Sequence, residues 1–74
     1  MSPLTIVRTE WGLSMAEFAD LVGLALITLV KIEMGISRIP LKAHPPITRL
    51  GLDFFQLTID QEHYIRTRRR RGHF

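Results

Sequence analysis

Leu13-Ser14-Met15-Ala16-Glu17-Phe18-Ala19-Asp20-Leu21-Val22-Gly23-Leu24-Ala25 is the stretch on which the fold turns. Ser14 and Glu17 have the spacing of a capping box, in which each side chain satisfies a backbone N–H of the other, so a helix is predicted from about Met15. Gly23 ends it, because a glycine takes the positive φ of a helix C-cap without steric cost. Only Leu24 and Ala25 separate Gly23 from the next apolar run, which predicts a further helix over roughly Leu26 to Met34, stopped by Gly35. The unit reads as a helix, a three-residue turn and a helix.

Upstream, Ser2-Pro3 is an N-cap followed by proline at the first helical position, and Leu4, Val7 and Trp11 recur at helical spacing up to Gly12. Downstream, Ile36 to Pro46 contains three prolines and predicts an extended connector. His44-Pro45-Pro46 can start a short fourth helix, expected over about Pro46 to Leu50 and ended by Gly51, and Asp53 with Gln56 offers an aspartate-glutamine capping box for a fifth. Alternation of Phe55, Leu57 and Ile59 also suits a strand that could pair two subunits, but helix is the preferred reading. The fold class expected is all-α, a compact bundle of about five short helices.

The chain of 74 residues is long enough for one core, and with no cysteine that core must be held by packing rather than disulfides or zinc thiolates. Its longest apolar run, Leu21 to Val30, falls well short of the roughly 20 residues that cross a bilayer, so no membrane role is expected. The first residues lack the features of a secretory signal, which predicts a cytoplasmic protein.

Charge is divided unevenly. Residues 1–60 carry five basic and six acidic side chains, whereas residues 61–74 carry Arg66, Arg68, Arg69, Arg70 and Arg71 against Glu62 alone. Two segments follow, a helical domain over 1–60 and a basic tail over 61–74. Mutually repelling arginines without an apolar stripe should stay solvated until they meet an anion, nucleic-acid phosphate foremost. The plainer reading is a solubilising tail.

The central unit, continued by Leu29, Ile32, Glu33 and Gly35, resembles the helix-turn-helix family of phage repressors, the Cro and cI type or XRE family, over about residues 4–57. The resemblance rests on small Ala19 at a helix crossing, Gly23 in the turn and inward Leu29 and Ile32. It implies a lambda-repressor-like bundle, a DNA-binding transcriptional regulator of bacterial or phage type and a homodimer on double-stranded DNA. It also implies a structural ion pair between Arg8 and Glu33. Beyond Pro40 the chain is shorter than the family pattern, so the fourth helix should be truncated.

By the same resemblance the third helix would present Ala25, Leu26, Ile27, Thr28 and Lys31 to bases and phosphates. Arg, Asn and Gln read base edges through hydrogen bonds, whereas Leu26 and Ile27 can touch only a thymine methyl, leaving Thr28 and Lys31 as polar contacts. Leu26, Ile27 and Val30 also compose an apolar patch suited to a protein partner. Two readings therefore stay open: a DNA-binding regulator, or a protein-binding module whose arginine tail alone touches nucleic acid. Phe54, Phe55, Leu57 and Ile59 are the candidate dimer contacts.

No enzyme, cofactor or metal is expected. His44, His63 and His73 lack metal-ligand spacing, and no phosphate loop or nucleophile-base pair is visible. Trp11, Phe18, Phe54 and Phe55 read as core, whereas Tyr64 and Phe74 lie in or beside the arginines and could stack on bases.

Overall fold

Side-chain caps set the helix starts in the computed structural model, which describes residues 1–71, with side chains through Arg69. The Oγ of Ser2 accepts from the Leu4 N–H at 3.3 Å and opens α1 (Pro3–Glu10). At α2 (Met15–Val22) the Glu17 N–H donates to the Ser14 Oγ at 3.1 Å, and the Ser14 N–H donates to the Glu17 Oε1 at 2.8 Å. Gly23, at φ +70, turns the chain while the Leu24 N–H closes onto the Ala19 carbonyl at 2.9 Å. After Ala25 comes α3 (Leu26–Glu33). A Cβ on Gly23 would lie 3.3 Å from the Pro46 ring, so the turn also abuts the start of α4 (His44–Arg49). The last helix is α5 (Phe54–Arg71).

Among the described residues the fold is all-α, a small bundle of five helices with no strand. Its core draws Phe18, Ala19 and Val22 from α2, Leu29 and Ile32 from α3, Ile47 from α4, and Phe54 and Leu57 from α5. Phe18 is fully buried, and burial of a side chain this size contributes about 3 kcal/mol.

Several expectations are corrected. The connector is not extended throughout, since Leu41–Ala43 forms a 3-10 turn and α4 starts at His44. Pro45 and Pro46 then occupy its first turn, where no backbone N–H is required. Asp53 caps α5 through the Gln56 N–H at 3.1 Å, but the Gln56 side chain turns to Asp60 at 3.0 Å, which leaves half a capping box. Phe55, Leu57 and Ile59 are helical, as preferred, and the strand that their alternation also allowed is not formed. Trp11 closes α1 and stays partly exposed, meeting Phe18 edge-on at 6.1 Å.

The largest difference concerns residue 60, which marks no structural boundary. Helix α5 runs through it, because Leu57, Gln61 and Ile65 recur every fourth residue and all three are buried. Gln61 is the unusual member. Its carbonyl accepts from the Ser2 hydroxyl at 2.6 Å, and its amide nitrogen donates to the Ile32 carbonyl at 2.8 Å and the Ser37 carbonyl at 3.0 Å. One side chain thus ties the start of α1, the end of α3 and the connector to α5.

Gln61→Leu keeps the volume but strips partners from the Ser2 hydroxyl and two carbonyls. A loss of about 2–4 kcal/mol is expected, read as a lower urea midpoint at unchanged slope. A pH effect is expected at α2. The Ser14 backbone N–H, and then its hydroxyl, hold the Glu17 carboxyl below its ordinary value. A carboxylate depressed on folding adds stability at neutral pH, and that stability is lost as acid carries it through the lowered value. Glu17→Gln should flatten the fall in stability measured by urea titration from about pH 6 to pH 3.

Candidate nucleic-acid interface

Helix α3 keeps one face in the core and turns the other outward. Leu29 and Ile32 are fully buried, and Ala25 sits at the N-cap with extended φ and ψ and no side-chain cap. On the outward side Leu26 is 49% exposed, Ile27 62% and Met34 47%. Lys31 is exposed beside them, while Thr28 and Val30 are half-buried. Of the apolar patch expected from Leu26, Ile27 and Val30, the first two are therefore on the surface and Val30 is half-buried. Met34 extends it, a residue that sequence reasoning assigned to the helix end alone. Its spacing of seven from Ile27, two helical turns, is the signal that could have found it.

The inward side of α3 is fixed by charge. The Arg8 Nε donates to the Glu33 Oε2 at 2.8 Å, Nη2 donates to Oε1 at 3.0 Å, and Nη1 donates to the Leu13 carbonyl at 3.0 Å. Side-chain exposure is 16% for Arg8 and 5% for Glu33, so this fork joins α1, the turn before α2 and α3 with little water around it. The hydrogen bond to Glu33 raises the Arg8 guanidinium above its ordinary value, against an opposing effect of burial. The residues expected to pair are brought together with bidentate geometry.

One arginine of α5, Arg68, reaches the same neighbourhood. Gly35, at φ +76, leaves no room for a Cβ, which would fall 2.9 Å from the Arg68 Cδ and 3.0 Å from the Tyr64 ring. The stem of Arg68 therefore crosses the chain just past α3, and Arg66, Arg68 and Arg69 are all exposed. These arginines extend a helix and are not a separate tail. Cationic side chains also suit the partial negative charge at a helix C-terminus. The side chains of Arg70 and Arg71, and the whole of His73 and Phe74, lie outside the described residues. Tyr64 is half-buried, its hydroxyl donating to the Glu33 carbonyl at 3.1 Å.

The four candidate dimer contacts divide. Phe54 and Leu57 belong to the core and are unavailable, because α5 turns them toward α4 and the bundle. Phe55 and Ile59, one turn apart, are 66% and 61% exposed. Half-buried His44 packs edge-on against Phe54 at 4.8 Å and tilted against Phe55 at 5.4 Å. Farther along α5 an open groove of about 350 Å³ faces α1, lined by Met1, Pro3, Ile6, Asp60, His63, Tyr64 and Thr67. Among the described residues no three metal-ligating side chains converge, and no helix is long and apolar enough to cross a membrane. Compared with protein-family models, curated proteins and solved structures, the chain has no match.

Removing one member of the Arg8–Glu33 pair leaves the other charge nearly buried and unpaired. Arg8→Met should cost about 3 kcal/mol in chemical denaturation, and the double variant Arg8→Met/Glu33→Met should recover most of that loss.

Proposed function

We propose that this domain is a DNA-binding transcriptional regulator of the phage-repressor helix-turn-helix type, acting in the cytoplasm by binding rather than by catalysis. In this reading α2, the Gly23 turn and α3 are the helix-turn-helix, and α3 enters the major groove with Ala25, Leu26, Ile27, Thr28 and Lys31 toward the DNA. The observation that carries the reading is the packing of the Arg68 stem against Gly35, which sets exposed Arg68 just past α3 on a helix that also carries exposed Arg66 and Arg69. A groove-facing helix needs such flanking cations, since phosphate contacts supply most of the affinity while base contacts supply the selectivity.

A homodimer completes the proposal, with exposed Phe55 and Ile59 of α5 as the self-contact and two half-sites on the duplex. A second reading keeps its own support. The exposure of Leu26, Ile27 and Met34 favours a protein-binding module that docks through α3 and leaves only the arginines for nucleic acid.

Binding of the full chain to random duplexes at two salt concentrations, with the solution mass measured alongside, separates the two. A regulator selects one sequence as a dimer. Each phosphate contact contributes about −0.9 to the slope of log affinity against log salt, so Arg66→Gln with Arg69→Gln should flatten that slope by up to about 2. Lys31→Ala should weaken the selected duplex more than a random one. Salt-sensitive binding without preference would favour the protein-docking module.

A further inference from the structure

The outward row of α3 has a composition that restricts what it can recognise in a groove. Ile27 and Met34 stand two turns apart and exposed, with Leu26 exposed beside them and Val30 half-buried between. All four end in methyl groups and none offers a hydrogen bond. The one acidic side chain of α3, Glu33, is turned inward onto Arg8, so the face carries no negative charge and holds Lys31 as its cation. Arg68 lies just past its C-terminal end. A surface that is apolar along its centre and cationic along its edge matches a groove floor studded with methyl groups between phosphate walls.

In the major groove every base pair presents hydrogen-bonding atoms that Leu26, Ile27 and Met34 would leave unpaired, and thymine alone of the four bases adds a methyl group. Desolvating those atoms without a partner is unfavourable for A·T and G·C pairs alike, so the methyl contact is what separates them. We infer that α3 selects duplex DNA by the 5-methyl groups of thymine, so that the sites it prefers are rich in A·T pairs. This inference rests on the DNA-binding reading above and adds to it the chemical feature that is read.

The test uses the full chain and three duplexes of equal length at one salt concentration: alternating dA·dT, the same duplex with uracil for thymine, and alternating dG·dC. Fluorescence anisotropy gives each affinity. The dA·dT duplex should bind tightest, with a loss of about fourfold for each methyl group in contact that uracil removes. Ile27→Ala, at an exposed position that should leave the fold intact, should close most of the gap between thymine and uracil. Equal binding of those two duplexes, or tighter binding of dG·dC, would overturn the methyl inference and leave DNA binding standing. A gap that survives both Ile27→Ala and Leu26→Ala would also overturn it. If none of the three duplexes binds, and a protein partner is captured through α3 instead, the DNA-binding reading falls together with the inference.

Discussion

A single buried amide sets the relation between the two halves of this bundle. Gln61 spends both of its N–H groups and its carbonyl on partners from three other segments, the Ser2 hydroxyl and the carbonyls of Ile32 and Ser37. A buried amide so satisfied is directional in a way that apolar packing is not. Leucine at the same place would tolerate a rotated or shifted α5, whereas the glutamine accepts one register. The placement of Tyr64 and Arg68 over the end of α3 follows from that register.

The parts of the fold legible in the sequence are those decided within a few residues. Ser2-Pro3, the Ser14 and Glu17 pair, and Gly23 act through bonds that close inside one turn, and each stands where its local chemistry predicts. The parts that were not legible depend on distant partners. Phe54 and Phe55 are adjacent and chemically identical, yet one is core and the other surface, a distinction set by how α5 lies on α4. The charge of residues 66–71 suggested a separate tail, because the buried row of Leu57, Gln61 and Ile65 has a polar residue at its centre and does not read as an apolar stripe. Nothing near Tyr64 in sequence discloses the Glu33 carbonyl that takes its hydroxyl.

The candidate interface joins two kinds of recognition with unequal strengths. Arginine contacts to phosphate are strong, long-ranged and indifferent to sequence. Methyl contacts are weak, about 0.8 kcal/mol for each buried carbon, against about 1–3 kcal/mol for a bidentate hydrogen-bonded pair to a base. On the proposed reading, a helix that offers Leu26 and Ile27 to the bases instead of arginine or glutamine would discriminate modestly at each position. Two copies joined through Phe55 and Ile59 would multiply that modest preference across paired half-sites.

The continuity of α5 past its last buried residue bears on how such binding would be driven. A basic segment in coil must be immobilised residue by residue when it settles on an anion, and that loss of backbone freedom opposes association at about 1–2 kcal/mol for each residue fixed. Here the backbone of Arg66, Arg68 and Arg69 is already helical, so only their side chains remain to be ordered. The rod also fixes where each cation leaves it: Arg66, Arg68 and Arg69 depart on different sides of one helix, so a polyanion could meet them only by wrapping the rod or by engaging some of them.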